Sequence, residues 1–213
     1  MEYQRIVDLS RVIHPGQEER QFDIEMHHHV LDRWYIAHTV TMMNHIGTHI
    51  EVPYHCVREG ADLAQVPLDQ LIGEAIVLDF SDAPAKTRIS LEQLLAAVEK
   101  AGGMKKGDIV FLRTGFDRFW DTPRYVDFPY LEPKAMRWLV EQGMKLMGVD
   151  AMGAEIPQDA EQTNHHILFE NGISLIENLV SLDQLTRSRV MVFALPVAVE
   201  RLESFPLRVI ALE

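Results

Sequence analysis

The sequence predicts one layered domain that mixes helices and strands, in the α/β or α+β class. Short apolar segments with strand character alternate along the chain with segments of helical character. The chain has 213 residues, 47% of them hydrophobic, so it is long enough for one domain with a sizeable core. No internal repeat or low-complexity linker divides it. We therefore expect residues 1–213 to form a single domain.

The elements predicted for the first half of the chain are mostly strands. Residues 6–9 predict a first strand, and residues 36–43 form a β-rich run that leads into a segment rich in histidine. A short helix is expected at residues 67–72, with Pro67 in its first turn. The continuous apolar run at residues 75–80 is typical of a strand that is buried on both faces.

The second half alternates more regularly between helices and strands. Ser90 and Gln93 form a capping box, which predicts a helix that runs to about residue 101 and stops at the glycine pair after it. Asn164 is expected to cap a helix at residues 165–171. The other predicted elements are a helix at residues 132–142 and strands at 108–113, 145–149, 190–195 and 207–212.

The charge and the cysteine content limit the classes of partner. The chain carries 20 Lys and Arg against 32 Asp and Glu, a net charge of −12, which repels nucleic acid and anionic membranes. No apolar run approaches the ~18 residues that a membrane-spanning helix needs. A single cysteine, Cys56, rules out an internal disulfide. Together with the lack of a signal peptide, this predicts a cytoplasmic protein.

The most informative segment is residues 45–55, His-Ile-Gly-Thr-His-Ile-Glu-Val-Pro-Tyr-His. Every second position of this segment is apolar or β-favouring, so an extended chain would place its polar groups on one face. Imidazole nitrogens and carboxylate oxygens are ligands of zinc and similar divalent ions. The spacing therefore predicts a metal site, and the alternative is an ordinary solvated strand face. The groups that share this face are His45, His49, Glu51 and His55.

Metal binding requires the segment to bend. In a straight strand His45 and His49 would lie about 13 Å apart, at ~3.3 Å per residue, whereas zinc lies about 2 Å from each ligand nitrogen. Gly47 permits a bulge or kink between them, and Pro53 ends ladder pairing further on. We therefore expect a bent strand end.

Further ligands are expected from a distant part of the chain. His165 and His166 open a predicted helix, and Glu177 follows in a segment where it would share the face of apolar residues if the segment is extended. A buried carboxylate must be paired or bound to a cation. The alternatives are a surface turn for His165 and a simple salt bridge for Glu177.

The motif His-x-Gly-Thr-His-x-Glu-x-Pro-x-His resembles the signature of the cyclase-like metal-dependent hydrolases. The likeness extends along nearly the whole chain. It implies a cyclase-like swivelling β/β/α domain of the α/β class, with a β-barrel-like sheet core flanked by helices. The supporting stretches are Asp8-Leu9-Ser10, Arg113-Thr114-Gly115-Phe116, Gly148-Val149-Asp150-Ala151, Pro206-Leu207-Arg208-Val209, and the pair of His165 with Glu177.

The resemblance also implies roles for individual residues. One or two ions per subunit are expected, Zn²⁺ first and Mn²⁺ as the alternative. His55 would act beside them as a catalytic acid or base. Glu51 stands where the family usually has aspartate, and its extra methylene changes its reach and its ability to bridge two ions. The implied metal ligands are His45, His49, Glu51, His165 and Glu177.

The implied reaction is hydrolysis of an amide or a related acyl bond by a metal-activated water. The most similar activity is arylformamidase, which converts N-formyl-L-kynurenine to kynurenine and formate. The alternatives are a cyclase, or a ring-opening lactam or lactone hydrolase of the isatin-hydrolase type, on the same ions, and a non-catalytic metal- or ligand-binding protein. The resemblance further implies a small-molecule substrate and a homodimer or homotetramer.

The residues themselves also support a proton-transfer role for His55. It lies past Pro53, and a neutral imidazole near a metal-bound water can accept a proton near pH 7. The alternatives are a further ligand or a structural hydrogen-bonding group. The adjacent Cys56 is interpreted as a small buried core residue, because neighbours in an extended chain point apart and the pair is poorly placed for thiol catalysis.

Three further groups have secondary interpretations. The histidine run Met26-His27-His28-His29 is expected to be a flexible surface loop that partly covers the site, with a third metal cluster as the alternative. Thr48 and Thr114 are candidates for hydrogen bonds to substrate or to groups behind the ligands, and Asp150 is a candidate partner for a ligand histidine. The aromatic residues interpreted as core or interface, rather than as a stacking surface for substrate, are Trp34, Tyr35, Phe116, Phe119 and Trp120.

Overall fold

The computed structural model describes residues 5–16, 20–28 and 35–213. No helix within these ranges is long and apolar enough to cross a bilayer. The described helices are α1 Leu68–Leu71, α2 Leu91–Lys100, α3 Pro133–Glu141 and α4 Thr163–Glu170. The described strands are β1 Ile6–Asp8, β2 Phe22–His28, β3 Ile36–Met42, β4 His49–Glu51, β5 Ile72–Asp79, β6 Arg88–Ile89, β7 Ile109–Arg113, β8 Tyr130–Leu131, β9 Leu146–Val149, β10 Ser174–Glu177, β11 Arg189–Leu195, β12 Ser204–Pro206 and β13 Arg208–Leu212.

A nine-stranded sheet contains both the first described strand, β1, and the last, β13, which pair with each other. Its strand order is β1-β13-β11-β5-β7-β9-β10-β4-β12. The four central strands β5, β7, β9 and β10 run parallel, and the flanking pairs are antiparallel. The sheet curls into a half-barrel with few helices, which confirms the predicted α/β class and barrel-like core.

Both faces of the central strands are buried, which explains their continuous apolar sequences. In β7, Val110 and Leu112 join the apolar cluster that includes α2, α3 and α4, whereas Ile109 and Phe111 join the cluster on the other face. All four side chains are at most 2% exposed. The three longer helices therefore cover one face, and the outer strands β1, β4, β11 and β13 of the curled sheet pack over the other.

The capping box predicted for α2 is present. Gln93 donates its backbone N–H to Ser90 Oγ at 3.3 Å, and Ser90 donates its own N–H to Gln93 Oε1 at 2.8 Å. The helix stops at Gly102 and Gly103, which both have positive φ. The sequence was sufficient to predict this cap because Ser90 and Gln93 lie within one turn of the helix.

The cap predicted for α4 was wrong. The helix begins at Thr163, and Gln162 occupies the N-cap in a left-handed conformation. Asn164 lies inside the first turn, where its buried Nδ2 donates to the carbonyls of Leu131 and Ala154 at 2.9 and 3.1 Å. The side chain therefore ties the helix to its neighbours instead of closing the helix end.

The loop predicted around the histidine run was also wrong. Met26 and His27 lie in β2, which pairs with β3 in an isolated hairpin. Alternating apolar residues along β2 are the strand signal that the histidines obscured. Both Met26 and Val40 of the hairpin are about half exposed, at 46% and 50%. His29 lies outside the described residues.

Candidate metal centre

The ligand-type residues of two distant segments meet through the pairing of β4 with β10. The antiparallel register places His49 opposite Glu177 and Glu51 opposite Leu175. Directly paired residues point to the same face of a sheet, so Glu177 shares the face of His49 and Glu51. Ile50, between them, is fully buried on the opposite face. The alternation in the sequence therefore predicted correctly which side chains of β4 face the cluster and which face the core.

The predicted bend lies at Gly47. This residue has φ +55°, and a Cβ there would lie 2.7 Å from Ile13 Cγ1. Its carbonyl accepts a hydrogen bond from Asn178 Nδ2 at 2.9 Å, and Thr48 Oγ1 donates to the Asn178 carbonyl at 2.7 Å. Thr48 thus fixes the bend and does not face the cavity. The result is that the ring centroids of His45 and His49 lie 5.2 Å apart.

Glu51 is the centre of the cluster. Its Oε1 lies 2.7 Å from His45 Nδ1 and 3.5 Å from His49 Nε2. Its Oε2 lies 3.3 Å from His165 Nε2, which comes from α4. The two carboxylate oxygens therefore face different histidines.

Glu177 closes the cluster from β10. Its Oε2 lies 3.4 Å from His49 Nε2, and its Oε1 lies 3.3 Å from His165 Nε2. Two overlapping triads result, and within each triad one atom per residue lies within 4.8 Å of the others. These two triads of predicted ligands are His45, His49 and Glu51, and Glu51, His165 and Glu177; a third, less buried group with the same spacing joins His45, His55 and Glu203.

The cluster has the unsatisfied polar atoms expected of a cation site. His49 Nε2 and Glu51 Oε2 are buried without a hydrogen-bond partner. The residues that carry them are 2% and 3% exposed. Such orphan atoms are costly in a folded protein unless a ligand satisfies them. Nitrogen and carboxylate donors in this arrangement fit a divalent ion.

The charges of the cluster are strongly linked. Burial raises the pKa of Glu51, but its close contacts with His165, His45 and His49 hold that pKa well below its usual range. Burial, reinforced by the charge of Glu51, raises the pKa of Glu177. Burial lowers the pKa of His165, but its bonds to carboxylates, first to Glu155, raise it overall. The pKa of His49 is raised as well, so without metal protons on His49 and His165 balance the carboxylates, and metal uptake releases protons.

Each ligand-type histidine has an outer acceptor. His49 Nδ1 lies 3.0 Å from the Gly47 carbonyl. His165 Nδ1 lies 2.9 Å from Glu155 Oε1, and His45 Nε2 lies 3.3 Å from Glu203 Oε1. Acceptors of this kind fix the tautomer and ring orientation of histidines that bind metal.

The sequence interpretation missed both glutamates. Glu155 stands between Ala154 and Ile156, and this carboxylate among apolar residues was the available signal. Glu203 also accepts from Asn44 Nδ2 at 2.6 Å, and no sequence pattern marked it.

Asp150 is not a partner of a ligand histidine, so that prediction was wrong. Its Oδ1 accepts from the backbone N–H and hydroxyl of Thr114, at 2.7 and 2.5 Å. Its Oδ2 accepts from the Gly115 N–H at 2.7 Å. Burial raises its pKa to about 6. Asp150 and Thr114 therefore close the turn after β7.

His55 lies in the 3₁₀ turn Pro53–His55 at the edge of the cluster. Its Nε2 is 4.0 Å from Glu51 Oε2, and its ring centroid is 4.9 Å from that of His45. The ring packs edge-on against Phe169, with centroids 5.9 Å apart. Burial lowers its pKa, so its imidazole is neutral at pH 7.

A cavity of about 320 Å³ opens onto the cluster. Its volume suits a small molecule. Arg20, Met152 and Asp159 line it together with the histidines and glutamates. None of the aromatic residues considered as stacking partners lines this cavity among the described residues.

Those aromatics lie in other places. Phe116 is buried in the core, Trp120 lies under the Arg11 guanidinium at 4.0 Å, and Tyr35 is 54% exposed. Phe119 packs against Phe116. Trp34 lies outside the described residues.

Two neighbours of the candidate ligands lie outside the cluster. His166 is exposed and pairs with Glu170 at 3.5 Å, so only the first of the two adjacent histidines reaches the site. Cys56 is partly, not fully, buried and packs against the core. Burial raises the pKa of its thiol, which disfavours the thiolate needed for nucleophilic catalysis.

Known proteins resemble the chain in both sequence and fold. Residues 7–156 match the model of the Cyclase family, described as "Putative cyclase". Kynurenine formamidase of Bacillus thuringiensis (strain Al Hakam) is 30% identical over 173 residues, which cover 80% of this chain and 77% of that enzyme.

Solved structures extend the likeness to nearly the whole chain. An isatin hydrolase bound to the product analogue thioisatinate has a TM-score of 0.88 at 19% identity, over 98% of this chain and 92% of that one. A predicted metal-dependent hydrolase from Bacillus stearothermophilus has a TM-score of 0.78 at 25% identity, over 98% of each chain. The chain therefore belongs to the Cyclase family and is a metal-dependent hydrolase.

Proposed function

We propose that this protein is an arylformamidase that hydrolyses N-formylkynurenine to kynurenine and formate. One observation carries the proposal. Buried Glu51 contacts histidines from two distant segments, in a cavity that a neutral histidine also lines. The 30% identity to a kynurenine formamidase supports the choice of substrate.

The geometry around Glu51 supports a proposal of two metal positions. His45 and His49 would hold the first ion with one oxygen of Glu51, and His165 and Glu177 would hold the second with the other oxygen. The longer glutamate side chain suits this division, since each oxygen faces its own histidines. Zn²⁺ is the expected ion, with Mn²⁺ as the alternative. A divalent ion bound here supplies a Lewis acid and lowers the pKa of a bound water toward ~7.

The proton transfers fall to His55. Amide hydrolysis takes a proton from water and delivers one to the leaving nitrogen. A neutral imidazole beside the ligands can accept the first proton and donate the second. The edge contact with Phe169 and the neighbouring ring of His45 restrict the orientation of this imidazole.

Metal removal combined with a substrate panel tests the proposal. The purified protein is analysed for bound elements, treated with a chelator, and reloaded separately with Zn²⁺ and Mn²⁺. We expect two ions per chain, loss of formylkynurenine hydrolysis on chelation, and recovery with the native ion. An enzyme that stays fully active without metal would refute the mechanism. Turnover of isatin or dienelactone but not formylkynurenine would favour a ring-opening hydrolase, and bound metal without turnover would favour a binding protein.

The assembly state stays a prediction from the family resemblance. We expect a homodimer or homotetramer, and light scattering on the metal-loaded protein measures this directly. A monomer at micromolar concentration would contradict it.

A further inference from the structure

We infer that Arg20 binds the carboxylate of the substrate, so that the preferred substrates are acyl amides that carry an anionic group. This inference rests on the proposed function for the identity of the reacting bond. It adds a residue that determines which amides are accepted.

The charges that line the cavity point to this role. Four carboxylates line it, and Arg20 is the single Arg or Lys among the described lining residues. Two divalent ions would balance those four carboxylates, which leaves the guanidinium as the unmatched charge of the described lining. Without Arg20, the charged groups of the described lining that face an anionic substrate would be carboxylates and bound metal. The four carboxylates belong to Glu51, Glu155, Asp159 and Glu177.

The geometry of Arg20 fits a carboxylate. Its Nη1 donates to the His45 carbonyl at 2.9 Å, which anchors the guanidinium to the segment that carries the first ligands. A guanidinium has five N–H donors, and the described residues accept a hydrogen bond from one of them. Within the described parts of the chain, no carboxylate lies within ion-pair distance of Arg20. A planar fork of donors beside the ligand segment can bind a carboxylate through two parallel bonds.

Two pairs of small molecules test recognition of the amino-acid group that carries the carboxylate. N-formylkynurenine and formanilide share the aryl formamide, but only the first has a carboxylate. Kynurenine and 2-aminoacetophenone share the aryl amine and the ketone, but only kynurenine has a carboxylate. A residue that recognises the carboxylate must discriminate within each pair, whereas a residue that supports the metal site must affect both members alike.

The variant is Arg20→Gln, because glutamine can still donate an N–H toward the His45 carbonyl but has no charge. The matched control is Arg137→Gln, at an exposed position on α3. With the metal-loaded Arg20 variant, we expect KM for formylkynurenine to rise about 10- to 100-fold, as for loss of a charge-assisted hydrogen bond. Its kcat, its metal content and its kcat/KM for formanilide should stay within about twofold. The control should match the wild type throughout.

Other outcomes overturn the inference. Equal losses on formanilide, or loss of bound metal, would mean that Arg20 only supports the His45 segment. No change on either substrate would mean that the carboxylate binds elsewhere. Calorimetry of kynurenine and 2-aminoacetophenone binding separates this inference from the proposed function, because it needs no turnover. Kynurenine binding that depends on Arg20 supports the inference even if the enzyme is inactive on formamides, whereas no kynurenine binding to the loaded wild type refutes it.

Discussion

Replacing Glu155 by glutamine should weaken metal binding without touching a ligand. Glu155 is 5% exposed, and its Oε1 accepts from His165 Nδ1 at 2.9 Å. That bond directs His165 Nε2 toward Glu51 and Glu177, each at 3.3 Å. Glutamine keeps the length and one acceptor but removes the charge.

The size of the effect follows from this contact. A buried hydrogen bond to a charged group contributes about 1.5–3 kcal/mol, and one between neutral groups about 0.5–1.5 kcal/mol. The loss is therefore about 1–2 kcal/mol, or roughly a tenfold weaker Kd. Glu155 Oε2 has no partner, so glutamine would also bury an N–H donor there without an acceptor. A total of 10- to 100-fold agrees with the usual cost of changing a residue behind a metal ligand.

Competition between the metal-free protein and a chelating indicator measures this affinity at fixed pH. The matched control is Glu170→Gln, which alters the other histidine–glutamate pair of α4, His166 and Glu170, on an exposed surface. The control should retain the wild-type Kd. The reasoning fails if Glu155→Gln binds metal within about twofold of the wild type, or if the control weakens binding equally.

Three further predictions concern the proton-transfer residue, the bend and the cysteine. His55→Gln should lower kcat by about 10²- to 10⁴-fold with metal content unchanged. Steady-state kinetics and elemental analysis measure these two quantities. Near-normal turnover would show that His55 does not transfer the protons. Gly47→Ala should lower the free energy of unfolding by about 1–3 kcal/mol in urea, since φ is +55° and Ile13 leaves no room for a Cβ; an unchanged midpoint would contradict the strain. Because the pKa of the Cys56 thiol is raised, its alkylation by iodoacetamide at pH 8 should be slower than that of free cysteine and accelerate as pH rises past 9. Cys56→Ala should keep full activity, and an inactive variant would revive a thiol mechanism.

The sequence predicted those features of the site that depend on local geometry. Alternation along residues 45–55 placed Ile50 in the core and the ligand-type residues opposite it, and Gly47 marked the bend. Within this segment each side chain's direction follows from its own backbone. The same reasoning found the capping box of α2, whose partners are three residues apart.

Contacts between distant elements could not be read in the same way. Glu155 reaches His165 only because a loop after β9 returns to the start of α4, and Glu203 reaches His45 through the pairing of β12 with β4. The Asn164 side chain donates hydrogen bonds to carbonyls of two other segments, and therefore it does not cap its helix. These outcomes depend on how elements are arranged in space, which periodicity does not specify.

The register between β4 and β10 links metal binding to correct folding. His49 and Asn178 are 129 residues apart in the chain, so this ladder forms by slow, long-range closure. A slip of one residue would turn Glu177 to the opposite face and dismantle the second triad. The ion of the second triad would then bind only the correctly paired chain and favour it by about 4 kcal/mol at a free concentration 1,000 times Kd. Cells starved of the ion should therefore accumulate mispaired, aggregation-prone protein in addition to inactive enzyme.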